Sequence, residues 1–499
     1  MEKKAKKEAK KTEKNEKMEK AGKKEIGITA DKDDFSEWFT QLMLKADLAD
    51  YSDVSGCMVF KPTAYAIWEK IVQECDVRFK KTGIKNAYFP LLIPEKLLSR
   101  EKEHVKGFSP EVAWVTQTGE TKLSERLAVR PTSEAIMYPS YSKWIRSWRD
   151  LPLRLNQWNN VVRWEFEHPV PFLRTREFLW NEGHSAFATE REALAENEIL
   201  YKIYRAVCED YLALFGLYGR KTEKEKFAGA VFTEKFHYIL SNGKALEGAA
   251  FHFDGQNFAK AYDIKFLDSK GEKQYAWQNT YAISTRMIGI MLAIHSDEKG
   301  LILPPRIAPN KIVIVPIYTE KEREIVLKEA RKLAANLEEF SPILDEREEC
   351  SAGFKFNEWE LKGIPLRIEI GPRDIEKKEV VLVRRDNGKK ESAKVEGLKQ
   401  KIFLALEDIQ NLMLEKSEKA FKDKIEKSES LEGLKKIIDD KKVGIVPLCR
   451  MSACEDAMKA ETKGAKALFI SESDKLKGGE KCIICGMPAA YWIYAGKSY

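Results

Sequence analysis

Apolar and polar positions divide this chain into stretches with different secondary-structure preferences. In residues 31–309 the pattern predicts helices, such as Tyr65–Lys81 and Glu190–Phe215, that alternate with strand-like runs. The proline-containing stretch at 301–310 predicts a linker, because Pro interrupts both helices and strands. We therefore expect one large domain to end near Pro309.

A different pattern begins after this linker. It predicts a buried strand, a helix and two further strands, in this order, at Lys311–Tyr318, Glu320–Phe340, Leu366–Ile370 and Val380–Arg384. Such alternation is typical of an α/β module, here of roughly 100 residues. A charged helical stretch at about 398–427 then leads into a last domain that begins near Leu431.

The most unusual polar pattern lies in two predicted strands joined by a loop, at 163–165 and 172–184. Side chains alternate along a strand, so one face of the second strand carries Arg174, Arg176, Phe178, Trp180, Glu182 and His184. Arg163 and Glu165 likewise share a face of the first strand. Arginines, aromatic rings and a polar end, in this order, suit a phosphate, a base and a small polar ligand. The alternative is a solvated face with aromatic side chains packed beneath it.

Charge and composition narrow the possible function classes. The 499 residues carry a net charge of +7, and residues 1–26 alone contain eleven Lys and six Glu, so little positive charge is left for the body. The body is therefore not a general cationic coat for nucleic acid. We expect residues 1–26 to be disordered or transiently helical, either adding weak affinity for RNA or simply solvated.

Membrane, secretion and disulfide signals are weak in this sequence. No apolar run approaches the roughly 20 residues that span a bilayer, and no apolar core follows the basic N-terminus. Eight Cys are few for a disulfide scaffold in a chain of this length. We expect a cytoplasmic protein without a membrane partner.

Two cysteine pairs near the C-terminus have the spacing of a metal site. Four residues separate Cys449 from Cys454, two separate Cys482 from Cys485, and 27 lie between the pairs. In a chain without disulfides this spacing predicts a four-cysteine structural zinc site with no position left for a substrate. Four unrelated thiols are the alternative.

Two other segments place polar side chains at predicted helix starts. In VRPTSE, Thr132 and Glu134 either hold the amino group of a substrate or belong to a helix start that Thr132 or Ser133 caps. Arg286, in STRMIGI, is either a surface charge or, inside a pocket, a partner for a terminal phosphate. The chain has neither GxxxxGK[ST] nor GxGxxG before a helix, so a nucleotide would be held by arginines on an antiparallel sheet.

These segments together resemble a known family. Arg163-Trp164-Glu165 with 174–184 resembles motif 2 of class II aminoacyl-tRNA synthetases, the segment around Arg286 resembles motif 3, and Gly56–Pro94 resembles motif 1, which is used for dimerisation. VRPTSEAIMYPSYSKWIR, LRLNQWNNVVRWEFEHPVPFLRTREFLWNEGHSAF and GRKTEKEKFAG are similar to prolyl-tRNA synthetases of the archaeal and eukaryotic form. The resemblance covers about residues 31–499.

The resemblance implies a domain organisation and an activity. A class II catalytic domain on an antiparallel sheet would span 31–309, an α/β anticodon-binding domain 310–415, and a small α+β zinc domain 416–499. The chain would be a homodimeric proline–tRNA ligase, which forms prolyl-adenylate from proline and ATP with Mg2+ and passes the prolyl group to tRNA(Pro).

The resemblance also implies which residues hold each substrate. Proline would contact Thr132, Glu134, Arg163, Trp180, Glu182, His184, Phe227 and His252. ATP would contact Arg163, Glu165, Arg174, Thr175, Phe178, Glu247, Ser284 and Arg286. The catalytic residues among them would be Arg163, Glu165 and Arg286. Two anticodon guanines would be read by Glu360, Arg367, Arg373 and Asp374, for which a surface ion-pair set is the alternative. The terminal Tyr499 would fold back toward the active site.

The chain departs from the family's pattern in three respects. The family usually has Gln where Glu247 stands and Thr where Ala250 stands, and we expect Glu247 to serve as a Mg2+ ligand. Only 109 residues separate Arg176 from Arg286, which leaves no room for the alanine-editing insertion of bacterial-type enzymes. Because a proline pocket discriminates poorly against a smaller residue, editing would require a separate protein.

Two other functions compete with this interpretation. A catalytically silent tRNA-binding paralogue would have lost Arg163, Glu134 or Arg286, and all three are present. Another class II synthetase, such as the threonine or serine enzyme, is the second competitor. A threonine enzyme would place a zinc-binding Cys in the pocket, whereas none of the predicted pocket residues is Cys.

Overall fold

The computed structural model describes residues 27–104, 111–164 and 169–499, so the predicted tail at 1–26 lies outside the described residues. The chain forms two compact units. Of the described residues, the first unit contains 27–47, 296–302 and 312–395, and the second contains those within 48–295, 303–311 and 396–499. Among the described residues, no helix is both long and apolar enough to cross a membrane.

A seven-stranded sheet forms the centre of the second unit. Its strands, in spatial order, are Lys85–Asn86, Leu153–Val162, Glu177–Phe187, Trp277–Ala282, Ala245–Gly255, Phe232–Ile239 and Leu217–Arg220. Only the short first strand pairs in parallel with its neighbour; the other pairs are antiparallel. The predicted antiparallel catalytic sheet is therefore confirmed.

Helices and small sheets surround this sheet. The helices are Pro62–Lys81, Glu95–His104, Glu134–Trp144, Glu190–Ala206, Asn257–Tyr262, Arg286–His295 and Leu398–Asp423. Smaller sheets are formed by Ala49–Tyr51 with Met58–Phe60, by Leu92–Pro94 with Thr121–Val129 and Trp114–Thr118, and by Lys265–Leu267 with Lys273–Tyr275. The helix predicted to reach Phe215 ends at Ala206, and a π-helical turn at Val207–Tyr211 follows it.

The C-terminal part of the second unit has its own sheet. Its strands, in spatial order, are Ile425–Lys427, Val443–Leu448, Tyr491–Gly496 and Lys466–Ile470, with helices at Leu431–Asp439 and Ser452–Glu461. Three of the four predicted metal-binding cysteines belong to its buried core, together with Leu434, Val446 and Ile493. The predicted α+β class of this region is confirmed.

The first unit is built on a five-stranded sheet. In spatial order its strands are Ile343–Leu344, Ile312–Pro316, Leu366–Ile370, Glu379–Arg384 and Lys390–Lys394, and the helices are Phe35–Lys45, Arg323–Asn336, Ala352–Leu361 and Pro372–Lys377. The first three strands are parallel to one another. Glu379–Arg384 pairs antiparallel with both of its neighbours, Leu366–Ile370 and Lys390–Lys394. Apart from boundary shifts of a few residues, the predicted α/β module is confirmed.

Candidate active site

The strand Glu177–Phe187, third in the seven-stranded sheet, places four side chains in one cavity of about 170 Å3. Leu153–Val162 and Glu177–Phe187 pair antiparallel, and alternation along the second strand brings Phe178, Trp180, Glu182 and His184 to the cavity wall. The predicted common face is confirmed for these four residues.

The common face does not extend to the two arginines before this strand. The strand begins at Glu177, and Val170 and Arg174 pair across a tight turn in which Phe172 has a φ of 57°. This turn redirects Arg176, which donates from Nη1 to the Ser55 carbonyl at 2.9 Å. The predicted common face was wrong for Arg176, because this residue precedes the strand and does not follow the two-residue alternation of its side chains.

A buried hydrogen-bond network closes one end of the cavity. Glu182 Oε1 accepts from the Ser133 hydroxyl at 2.7 Å and from Asn159 Nδ2 at 2.7 Å, and Oε2 accepts from the Ser133 amide at 2.8 Å and from Thr132 Oγ1 at 3.3 Å. Ser133 does occupy the N-cap position of the helix Glu134–Trp144, but its side chain binds Glu182 instead of capping the helix. The capping alternative is therefore set aside for Ser133.

The two carboxyl groups at this end have opposite electrostatic character. Burial raises the pKa of Glu134, and the neighbouring Glu182 adds to the shift against the opposing influence of His184. Burial also raises the pKa of Glu182, but hydrogen bonds from His184, Asn159 and Ser133 outweigh it and leave this pKa below the ordinary value. One carboxylate is thus stabilised as an anion, while the other gains most from a cationic ligand.

All eight residues predicted to contact proline line this cavity: Thr132, Glu134, Arg163, Trp180, Glu182, His184, Phe227 and His252. The Phe227 and His252 rings lie 4.7 Å apart between centroids. Thr233 Oγ1 fixes both, accepting from the Phe227 amide at 2.9 Å and contacting His252 Nδ1 at 2.8 Å. Burial lowers the pKa of His252, so this wall of the cavity is uncharged.

Arginines and an aromatic ring line the other end. The Arg163 guanidinium lies 5.4 Å from the Phe178 ring centroid, and its Nε donates to the Pro131 carbonyl at 3.0 Å. Arg286 is the first residue of its helix; its Nε donates to the Leu173 carbonyl at 2.9 Å, and Ser284 Oγ accepts from its amide at 3.3 Å. The structure therefore places Arg286 in the cavity and not on the surface. Glu165 lies outside the described residues.

A second, smaller cavity of about 150 Å3 shares Arg286 with the first. Its lining combines residues from three parts of the unit, among them Arg174, Glu247, Lys466, Ser498 and Tyr499. The Tyr499 hydroxyl accepts from Asn242 Nδ2 at 3.0 Å. Thr175 is buried in the loop beside Arg174. Of the predicted ATP residues that the structure describes, Arg163, Phe178, Ser284 and Arg286 line the first cavity, Arg174 and Glu247 line the second, and Thr175 lines neither.

Glu247 stands between two lysines. Its Oε1 accepts from Lys221 Nζ at 2.9 Å, and its Oε2 accepts from Lys235 Nζ at 2.8 Å. Burial raises the pKa of Glu247, but the two ammonium groups outweigh it and leave this pKa well below the ordinary value. Sequence reasoning missed Lys235, which lines the first cavity. Its signal was a Lys in the otherwise largely buried strand Phe232–Ile239.

Comparison with known proteins identifies the family. Three family models match the chain. The model described as tRNA synthetase class II core domain (G, H, P, S and T) matches residues 115–295, and the model of an anticodon binding domain matches residues 311–403. The model described as prolyl-tRNA synthetase, C-terminal, matches residues 431–499. The proline–tRNA ligase of Natranaerobius thermophilus is 47% identical over 462 residues, which are 92% of this chain and 95% of that protein. The chain belongs to the prolyl-tRNA synthetases.

Two further relatives support the same family. Proline–tRNA ligase 2 of Bacillus cereus is 46% identical over 474 residues, 95% of this chain and 98% of that protein. A crystal structure of the prolyl-tRNA synthetase of Cryptosporidium parvum, complexed with halofuginone and AMPPNP, matches with a TM-score of 0.91 at 42% identity. The match covers 95% of this chain and 100% of the chain in that crystal structure. The predicted resemblance is confirmed.

The four cysteines predicted to bind a metal come together near the C-terminus. The sulfur atoms of Cys449, Cys454, Cys482 and Cys485 all lie within 4.8 Å of one another. Tetrahedral Zn2+ with Zn–S bonds of about 2.3 Å would hold its sulfurs roughly 3.8 Å apart. The Cys449 and Cys485 sulfurs are 3.9 Å apart. The donor set therefore fits such a metal.

The predicted anticodon residues fall into two groups within the first unit. Arg367 is buried and donates to Glu369 Oε1 at 2.9 Å and to Glu360 Oε1 at 3.4 Å. Arg373 and Asp374 lie in the helix that follows the other end of the strand Leu366–Ile370. The strand thus separates the two groups, and the ion-pair alternative describes Glu360 and Arg367 as well as the recognition role does.

Proposed function

We propose that this chain is a proline–tRNA ligase, which activates L-proline with ATP and transfers the prolyl group to the 3′ end of tRNA(Pro). The observation that carries the proposal is the continuous cavity, with carboxylates at one end and arginines with an aromatic ring at the other, in a chain 47% identical to a proline–tRNA ligase. A silent paralogue would not need this combination.

The carboxylate end suits a cyclic secondary amine. Proline's ring would lie against the apolar surfaces of Trp180 and Phe227. Its ammonium would face Glu134, whose pKa is raised by burial and by the neighbouring Glu182, so that a cation beside it would stabilise the carboxylate. Thr132 and Glu182 hold Glu134 and the helix start in place, so the cavity is preorganised for the ammonium.

The arginine end suits the reacting phosphate. A proline carboxylate oxygen attacks the α-phosphorus of ATP, and the bond from that phosphorus to the bridging oxygen of pyrophosphate breaks. Arg163 would neutralise the carboxylate and the α-phosphate, Arg286 the γ-phosphate end, and Phe178 would stack on adenine. In the second step a hydroxyl of the terminal ribose attacks the prolyl carbonyl, and AMP leaves. Both steps require positioning and charge neutralisation rather than a protein nucleophile.

Mg2+ on the phosphates would supply further charge neutralisation. Both carboxylate oxygens of Glu247 already accept hydrogen bonds from lysines, which weighs against its expected role as a ligand of this ion. We therefore assign no mechanistic step to a metal held by Glu247.

We also propose a structural Zn2+ at the four cysteines and anticodon recognition by the first unit. The sulfur geometry and the fit of the anticodon-binding family model at 311–403 support these two assignments. Purified protein should contain one zinc per chain by elemental analysis, and a zinc-free preparation obtained without chelator would contradict the first assignment.

A homodimer is supported by apolar side chains exposed around the motif 1 segment. They are Tyr51, Val54, Val59, Tyr65, Val77, Tyr88 and Leu92, with Tyr88 72% exposed. Light scattering should give about twice the chain mass of 57.4 kDa; a monomer at micromolar concentration would contradict this proposal. The cytoplasmic location, the domain boundaries and a separate editing protein stay predictions.

The experiment that tests the function is pyrophosphate exchange with each of the twenty amino acids. Exchange with proline far above the rest supports the proposal, and secondary signals with Cys or Ala measure the tolerance of the pocket. Absence of exchange in folded protein would refute the ligase and favour the silent tRNA-binding paralogue.

A further inference from the structure

The two expected departures from the family's pattern, Glu247 and Ala250, adjoin the same lysine. In the antiparallel strands Phe232–Ile239 and Ala245–Gly255, Lys235 is directly opposite Ala250, and Glu247 binds the Lys235 ammonium at 2.8 Å. The small Ala250 side chain leaves room for a long neighbour, since opposing side chains on one face are only about 5 Å apart. The departures therefore form one unit with Lys235.

The two lysines of this unit differ in access. Lys221 is 3% exposed and is tied to Glu247 Oε1, whereas the Lys235 side chain is 21% exposed and lines the first cavity. Burial lowers the pKa of His237, opposite Glu247, to about 3, so this ring adds no charge. One carboxylate between two ammonium groups leaves a surplus positive charge, and Lys235 is the member that presents it to the cavity.

The same unit adjoins the arginine end of the cavity. The Glu247 carbonyl accepts from Arg286 Nη1 at 3.4 Å, so the backbone that carries the carboxylate also contacts the predicted γ-phosphate partner. Arg163 and Lys235 line the first cavity together with Arg286. A polyanion bound there would meet three cations.

We propose that Lys235 binds a phosphate oxygen of ATP and that Glu247 is its positioning residue instead of a Mg2+ ligand. The inference rests on the proposed function and names an additional cation in the same site. When ATP binds, the Lys235 ammonium exchanges part of its interaction with Glu247 for the phosphate, and Lys221 keeps the carboxylate neutralised. No bond is made or broken by Lys235, since it acts through charge and hydrogen bonding.

The test compares Lys235→Met, Lys235→Arg and Glu247→Gln with a surface control, Lys265→Met. This control removes an ion pair with Asp263 and a contact with the Tyr275 ring, both outside the cavity. AMPPNP binding is measured by calorimetry, and the KM values for ATP and for proline by pyrophosphate exchange over a Mg2+ titration. Loss of a charge-assisted hydrogen bond predicts about 10- to 100-fold weaker AMPPNP binding and a similar rise in the KM for ATP for Lys235→Met. The KM for proline and the melting temperature should change little.

The other variants separate positioning from metal binding. Lys235→Arg should keep part of the AMPPNP affinity that Lys235→Met loses. Glu247→Gln should weaken AMPPNP binding less than Lys235→Met does. The double variant Lys235→Met/Glu247→Gln should bind AMPPNP no more weakly than Lys235→Met alone. Unchanged AMPPNP affinity in Lys235→Met would overturn the proposal, as would a Glu247→Gln variant that shifts Mg2+ half-saturation while AMPPNP binding stays constant. Wild-type protein that binds AMPPNP but shows no proline-dependent exchange would refute the ligase function while leaving the Lys235 comparison valid.

Discussion

Gly183 is the position at which the packing of the sheet and the geometry of the candidate active site depend on one another. It lies between Glu182 and His184 and directly opposite Tyr281 on the neighbouring strand. A Cβ atom at Gly183 would lie 1.9 Å from Tyr281 Cε2 and 2.0 Å from Cζ, where contacts under 3.0 Å essentially never occur. Gly183→Ala therefore forces the ring or the strand to move.

The size of the effect follows from how little space is available. Tyr281 is 1% exposed and packs edge-on against Phe79 at 5.9 Å, so the ring cannot retreat by the required distance of about 1 Å without disturbing the core. Overpacking of this kind costs about 1–3 kcal/mol of unfolding free energy, and we expect the upper end. Because Glu182 and His184 flank the site, a displacement of about 1 Å there should also lower proline activation roughly 100-fold.

The assay combines urea unfolding, followed by tryptophan fluorescence, with pyrophosphate exchange. Gly353→Ala is the matched control: the position lies in the helix Ala352–Leu361 with nothing within 4 Å of the added Cβ, so the same change should stabilise by roughly 0.5–1 kcal/mol. Tyr281→Leu should relieve the clash, giving favourable coupling of about 1–3 kcal/mol in the double variant. Wild-type stability and exchange in Gly183→Ala, or additive effects in the double variant, would refute the reasoning.

Three further changes test other parts of the site. Glu134→Gln should raise the KM for proline about 10- to 100-fold and leave the KM for ATP unchanged. Burial raises the pKa of Glu134, so the wild-type protein should lose proline affinity as pH falls and this carboxylate takes up a proton. The Gln variant should not show this pH dependence. Cys454→Ser should abolish zinc content by elemental analysis and lower the melting temperature. Arg367→Gln should raise the KM for tRNA and leave pyrophosphate exchange unchanged. The control Arg331→Gln, at an exposed ion pair, should change neither the KM for tRNA nor pyrophosphate exchange. A drop in exchange with Arg367→Gln would indicate that its pairs with Glu360 and Glu369 are structural.

Regular elements were predictable where one local pattern dominates. The alternation from Phe178 to His184 gave the correct cavity face, because a paired strand enforces the period of two over its whole length. Loop residues such as Arg176 were not predictable in this way. The turn at 170–174 and the close approach of Gly56, whose added Cβ would lie 2.9 Å from Arg176 Cγ, set its direction, and neither leaves a periodic signal.

Charge compensation was the second feature that the sequence did not reveal. Glu247 looked like a metal ligand because its partners, Lys221 and Lys235, are 26 and 12 residues away and meet it only through strand pairing. A carboxylate can be assigned to a metal or to an ammonium only when its spatial neighbours are known. The resemblance singled out Glu247, and the fold adds the two lysines that contact it.

The segment Lys221–Phe227 lies between the four-cysteine region and the first cavity, where we propose that proline binds. The Thr222 hydroxyl donates to Glu455 Oε2 at 3.0 Å, and Glu455 follows the predicted zinc ligand Cys454 in the same helix. Lys221 leads from this segment to Glu247, and Phe227 ends it in the wall of the proline cavity. Loss of the metal would free this helix to move, and the movement would reach both substrate subsites through one short segment. Cys454→Ser should therefore raise the KM for proline as well as lower thermal stability, and an unchanged KM in the zinc-free variant would show that the segment keeps its position without the metal.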